Sequence, residues 1–195
     1  MKRILVLGAG ASAPYLIHHL LEVSKKHDWF VTVGDRDLAA AETRVNGHER
    51  GKALEFDVND VDLLASQVER SDLVVNLLAP RFQPDIAREC VRIGRSMVSA
   101  SYRDERICDF DDDASRKGVL LLTEVGLDPG IDHMTAMSLI DRIKAGGGEV
   151  VSFESYGGGL PAPDTLDNPF GYVITWNPRN VVMAGERGAE FLDRG

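Results

Sequence analysis

Near the N-terminus, Gly8-Ala9-Gly10-Ala11-Ser12-Ala13 reads G-x-G-x-x-A between an apolar run, Arg3 to Leu7, and an amphipathic stretch, Ala13 to Lys26. Residues of these types at this spacing bind a diphosphate. Gly8 permits a tight turn, Gly10 lets the backbone approach phosphate oxygens, and Ala13 keeps helix and strand close. The amides from Gly10 through Ala11 and Ser12 open the helix, whose N-terminus attracts an anion. Asp35 closes the next apolar run, Phe30 to Val33, where a carboxylate accepts hydrogen bonds from the ribose of an adenosine. That acid favours NAD. Arg36 follows at once and is suited to a 2′-phosphate or to the face of an adenine, so NADP stays open. Asp57 and Val58 follow a third run and are candidates to flank the adenine, with Asp57 alternatively capping the next helix. Leu78, at the end of a fourth run, is a further candidate for the cofactor's path.

A second polar cluster lies at Gly126-Leu127-Asp128-Pro129-Gly130-Ile131-Asp132-His133. Two carboxylates and a histidine crowd one turn after the last expected sheet strand. They are either helix-entry chemistry, with Asp128 or Asp132 as a cap, or part of a site at the sheet's carboxyl edge. Cys90 and Cys108 have no metal spacing and read as ordinary buried residues on helices, so no metal site is expected.

The elements needed to hold these residues alternate along the chain. Strands are expected at Arg3–Leu7, Phe30–Val33, Ala53–Phe56, Leu73–Leu78, Met97–Ser99 and Val119–Leu122, with helices at Ala13–Lys26, Leu38–Val45, Val61–Val68, Pro84–Ile93 and Asp104–Lys117. Alternation and nearly unbroken apolar strands imply an α/β fold: a Rossmann-type doubly wound parallel sheet, covered on both faces. Right-handed crossovers give the order 3-2-1-4-5-6, with a ligand crevice where strands 1 and 4 diverge. The cofactor domain is expected over residues 1–130. A second, α+β substrate or dimerisation domain begins at 131, with a helix Ile131–Ile143, a strand Val150–Tyr156, a Gly- and Pro-rich stretch, and apolar residues Tyr172 to Trp176.

Composition narrows the partners. Twenty-two Lys and Arg against 31 Asp and Glu leave a net charge of −9, which disfavours a nucleic acid. The acidic run Asp104 to Asp113 reads as a solvated helix face. No apolar run approaches the roughly 20 residues of a membrane span, and Met1-Lys2-Arg3 leads into a strand rather than a signal peptide. Two cysteines in 195 residues fit a reducing compartment, so a cytoplasmic location is expected.

Three blocks carry a family resemblance: G-L-D-P-G-I-D-H-M from Gly126 to Met134, S-Y-G-G-G-L-P-A-P from Ser155 to Pro163, and D-N-P-F-G-Y from Asp167 to Tyr172 with T-W-N-P-R from Thr175 to Arg179. With the glycine loop and Ser101-Tyr102, the chain resembles the N-terminal portion of the saccharopine dehydrogenases that form L-glutamate, also called saccharopine reductases. The resemblance implies NAD(P)-dependent oxidation of the CH–NH bond of saccharopine, giving L-glutamate and 2-aminoadipate 6-semialdehyde. It implies that Tyr102 and Asp128 line the substrate pocket, with Asp128 as the carboxylate that steadies positive charge on the substrate nitrogen. Ala100, Ser101 and Leu127 would lie along the nicotinamide half of the cofactor, and Arg179 is a candidate to clamp a substrate carboxylate, with a surface role as the alternative. His133 reads as a helix residue rather than a catalyst. Gly157 departs from the family, which carries cysteine after the tyrosine of S-Y-C-G-G-L-P, so a thiol is missing from the implied pocket.

The family also continues past the length of this chain, so the resemblance implies the front part of an enzyme, binding cofactor without turnover. The other reading is a non-catalytic NAD(P)-binding sensor or assembly module, which needs only the loop and a partner surface. Apolar surface on an unfinished second domain leads to the expectation of a homodimer.

Overall fold

The computed structural model describes residues 1–157, 168 and 169. By contact the chain divides into two compact units, Met1–Val151 and Ser152–Gly195. The apolar residues Tyr172 to Trp176 and Arg179 lie outside the described residues.

The first unit is built on six parallel strands, β1 (Lys2–Leu7), β2 (Trp29–Asp35), β3 (Gly51–Glu55), β4 (Leu73–Asn76), β5 (Ser96–Ser99) and β6 (Leu121–Leu122). Their order is β3-β2-β1-β4-β5-β6, as the alternation of elements predicts. The crossovers are α1 (Pro14–His27), α2 (Leu38–Val45), α3 (Val61–Glu69), α4 (Gln83–Ile93), and the pair α5 (Glu105–Cys108) and α6 (Asp111–Lys117); α7 (Ile131–Ala145) follows the sheet.

The unbroken apolar run of β1 has a direct explanation in the pleat, which sends successive side chains to opposite faces. Leu5 and Leu7 join one core with Leu64 and Val68 of α3 and Ile86, Ala87 and Cys90 of α4. Ile4 and Val6 join the other with Ile17 and Leu21 of α1 and Ala41 and Val45 of α2. Both faces of the strand are therefore dry, and both sets must be apolar.

Helix boundaries follow local chemistry. Pro14 opens α1, where its missing N–H costs nothing. Asp37 and Asp60 cap α2 and α3 by accepting from Ala40 N at 3.1 Å and Leu63 N at 2.9 Å. Gly94, at φ 85°, ends α4 in the left-handed conformation that glycine adopts without strain.

Three expectations are corrected. The fourth strand ends at Asn76 rather than Leu78, because the Asn76 side chain takes the Leu78 amide at 3.0 Å and turns the chain away. The single acidic helix is two. Phe110 packs against the core between α5 and α6, and Asp111, Asp112 and Asp113 open α6 on an exposed first turn, where they complement the helix dipole. The expected strand Val150–Tyr156 carries no strand pairing among the described residues, and Val151 and Tyr156 are 92% and 90% exposed. An alternating apolar pattern becomes a strand only when a neighbour accepts its ladder. Among the described residues no helix is long and apolar enough to cross a membrane.

Phe56, just after β3, is 1% exposed and packs in the α3–α4 core, with its Cβ 3.0 Å from where a side chain on Gly34 would begin. Replacing it opens a cavity that the sheet cannot close. We expect Phe56→Ala to lower the unfolding free energy by about 3–5 kcal/mol, read from urea denaturation; a loss under about 1 kcal/mol would contradict this packing.

Candidate cofactor and substrate site

The carboxyl ends of β1 and β4 meet at the glycine loop. Gly8 N donates to Gly34 O at 2.8 Å, and Leu77 N donates to Leu7 O at 2.8 Å, so three strand ends converge there. Gly8 has φ 107°, and a Cβ on it would lie 3.1 Å from the carbonyl carbon and oxygen of Leu77. Conformation and space both demand glycine. At Gly10, by contrast, a Cβ would meet nothing within 4 Å. The loop is thus closed toward the sheet and open at Gly10, Ala11 and Ser12, all exposed. Ala13 is 1% exposed against the α1–α2 core, and its amide donates to Gly10 O at 3.1 Å. This is a cradle of backbone at a helix start, and it fits a dinucleotide's diphosphate.

Asp35 reaches this loop directly. Its Oδ2 accepts from Ala9 N at 2.7 Å and its Oδ1 from Asp37 N at 2.9 Å. From α2, Arg44 donates through Nε to Ala9 O at 3.1 Å. Arg36 is exposed and, among the described residues, has no ion pair, although its charge helps to hold the Asp57 carboxyl below the ordinary range. The larger cause at Asp57 is hydrogen bonding from Asn59, backbone first at 2.9 Å and side chain at 2.7 Å. Asp57 therefore shapes a turn, and the helix cap it was a candidate for belongs to Asp60. Val58 is buried behind it.

At the other side of the crevice, the chain after β5 runs beside the segment that precedes α7. Val125 N donates to Ser99 O at 3.1 Å and Glu124 N to Ser101 O at 2.9 Å. Ala100 and Ser101 are thereby brought beside the entry to the turn Gly126–Gly130, where a Cβ on Gly126 would lie 3.4 Å from Ala100 Cβ, and Tyr102 follows them in the chain. That turn is tight. Gly126 N donates to Pro129 O at 2.9 Å, Ile131 N to Gly126 O at 3.0 Å, and a side chain on Gly130, at φ 142°, would run into the backbone of Gly126. The Asp128–Pro129 bond is cis. Leu127 and Asp128 are presented outward, Leu127 at 75% exposure, and Tyr102 is 51% exposed. Leu78 follows the Leu77 contact with Gly8 and is half-buried. Gly157 falls in the second unit and is exposed.

A family model described as the saccharopine dehydrogenase NADP binding domain matches residues 4–122, and one described as the saccharopine dehydrogenase C-terminal domain matches residues 126–195. The chain belongs to the saccharopine dehydrogenase family. It is 34% identical to saccharopine dehydrogenase [NADP(+), L-glutamate-forming] of Schizosaccharomyces pombe, across 100% of this chain and 43% of that protein. It is 36% identical to the alpha-aminoadipic semialdehyde synthase of Arabidopsis thaliana, over 88% of this chain and 16% of that protein. Among solved structures, apo histidine-tagged saccharopine dehydrogenase (L-Glu forming) from Saccharomyces cerevisiae superposes with a TM-score of 0.83 at 35% identity, covering 94% of this chain and 40% of that one. This chain thus spans less than half the length of these saccharopine dehydrogenase relatives. The matched domain and the fungal relative point to NADP where the acid at position 35 suggested NAD. In the structure each oxygen of that carboxylate accepts one backbone N–H group.

Sequence reasoning missed Gln83, Asn76, Ser99 and Arg44. Gln83 is fully buried and donates through Nε2 to Tyr102 O at 2.8 Å, while its Oε1 accepts from Ser99 Oγ. A signal existed: Gln83 sits with Ile86, Ala87, Cys90 and Val91 on the buried stripe of α4, where a polar residue must have a partner. Asn76 is also fully buried, and its Nδ2 has no partner among the described residues. Burial pushes the Cys90 thiol up to about 12, so it stays protonated and inert.

His133 and Asp132 form a local pair, Nδ1 to Oδ1 at 2.8 Å, and Asp132 Oδ1 also accepts from Gly130 N at 2.9 Å. The Asp132 hydrogen bond raises the His133 pKa, and the same bond lowers that of Asp132. The sign follows: the charged pair is complete where His133 is protonated and Asp132 ionised, and it is lost as pH rises through the raised histidine value. An NMR titration should show His133 above its ordinary 6.5, and Asp132→Asn should return it toward that value; an unmoved titration would remove the pair from the turn.

Proposed function

We propose that this chain is the cofactor-binding part of an NADP-dependent saccharopine oxidoreductase, acting on the CH–NH bond to give L-glutamate and 2-aminoadipate 6-semialdehyde. The observation that carries it is the backbone cradle at Gly8–Ala13, closed against Leu77 and open at Gly10, inside a domain matched as NADP-binding. When bound, the nicotinamide accepts a hydride. Everything else falls to the chain: loop amides hold the diphosphate, and Ala100, Ser101 and Leu127 border the nicotinamide half. Arg36, exposed beside Asp57, meets the 2′-phosphate, because a guanidinium pairs two-pronged with phosphate oxygens.

In this reading Tyr102 and Asp128 face the substrate, and the Asp128 carboxylate stabilises the positive charge that develops on the substrate nitrogen as hydride leaves the adjacent carbon. No side-chain base is required for the proton on the substrate's amine, which passes to solvent water before hydride transfer.

Isothermal titration of this chain with NADPH and NADH tests the cofactor half. We expect NADPH to bind more tightly; absence of heat with both nucleotides would refute the reading. For the substrate half, Asp128→Asn in a protein that oxidises saccharopine is expected to lower kcat about a hundredfold while leaving NADPH affinity intact. Unchanged kcat would remove Asp128 from the chemistry.

A further inference from the structure

The two peptide units that flank Ala9 are each held by a charged side chain. Asp35, at the end of β2, accepts the Ala9 N–H at 2.7 Å, and Arg44, on α2, donates to the Ala9 carbonyl at 3.1 Å. Ala9 itself is 1% exposed, so its peptide has no water to turn toward. The second Asp35 oxygen accepts from Asp37 N at 2.9 Å, which ties the carboxylate to its own strand end and fixes its direction. A residue expected to greet the ribose is thus bonded, through both oxygens, to protein backbone.

We propose that Asp35 is a positioning residue for the diphosphate loop, with Arg44 as its counterpart on the next peptide, and that choice between the two nicotinamide nucleotides falls to Arg36. The inference rests on the cofactor reading above. A glycine-rich loop has little intrinsic preference for one peptide orientation, since glycine populates both signs of φ. An anionic acceptor on the Ala9 N–H fixes the Gly8–Ala9 peptide and a cationic donor on the Ala9 C=O fixes the Ala9–Gly10 peptide, each through a charge-assisted bond. The next amides then point outward before any ligand arrives, and less ordering remains to be done on binding. Such a brace acts on the diphosphate, which NADH and NADPH share. A ribose acceptor acts on the hydroxyl that NADPH lacks.

The two roles separate cleanly in a binding experiment on this chain. Asp35→Ala, Arg44→Ala and Arg36→Ala are each titrated with NADPH and with NADH, and the Ala9 amide is followed by NMR hydrogen exchange without ligand. We expect Asp35→Ala to weaken both nucleotides by a common factor of about tenfold, with faster exchange at Ala9. Arg44→Ala should weaken both in parallel and more mildly, with Arg44→Lys recovering part of the loss. Arg36→Ala should weaken NADPH alone. Loss of NADH binding with NADPH binding kept or improved in Asp35→Ala would restore the ribose role and overturn the proposal, as would unchanged exchange at Ala9. Should Asp35→Ala fail to fold, Asp35→Asn retains one acceptor and is expected to show a smaller parallel loss under the same criteria. If the unaltered chain binds neither nucleotide, it is the cofactor reading that fails, while the exchange measurement still reports on the brace.

Discussion

The convergence of strand ends at Gly8 is the constraint on which the site depends. β1 has to pass its last hydrogen bonds to β2 on one side and β4 on the other, and the chain must turn away at Gly8 before α1 begins at Pro14. Gly8 N reaches Gly34 O while Leu77 N reaches Leu7 O, so the turn is pressed from both flanks. Any side chain at Gly8 would meet the Leu77 carbonyl at 3.1 Å in a backbone conformation that L-residues avoid. Because the turn is so sharp, the first amides of α1 emerge at the switch point of the sheet, where helices lie on opposite faces and leave a crevice.

Around that turn, several polar side chains are tied to backbone. Asp35 holds Ala9, Asn76 holds the amide of Leu78, and Gln83 holds the carbonyl of Tyr102 while receiving the Ser99 hydroxyl. Each sits at the end of a strand or the start of a helix, and each fixes a loop instead of stabilising an element's interior. Burying an amide such as Gln83 carries a desolvation cost unless it is hydrogen-bonded. The common result is that loops at the sheet's carboxyl edge have few conformations open to them, which is what a site built from backbone requires.

The second loop pair follows the same logic by different means. Gly126 and Gly130 permit a turn closed on itself through Pro129, and the turn is pinned to the chain after β5 by the amides of Glu124 and Val125. Leu127 and Asp128 are left as its outward-facing residues. The neighbouring Asp132 and His133, equally conspicuous in the sequence, are occupied with each other and with Gly130. A dense polar cluster thus divides into groups that shape the turn and groups available to a ligand.

How much of this was legible beforehand depended on whether the signal was local. The glycine loop, the two-sided apolar strands and the strand order could be read from residue types and spacing, because pleat, helix period and crossover handedness act over short stretches of chain. The extent of β4, the break at Phe110 and the absence of a ladder for Val150–Tyr156 turned on a side chain, a packed core and a neighbouring strand respectively, none encoded nearby. The role of Asp35 is the sharpest case. By itself the sequence determined that an acid follows β2 next to an arginine; only the tertiary structure decided that this acid is bonded to Ala9, because a contact across 26 residues exists only once β1 and β2 lie side by side.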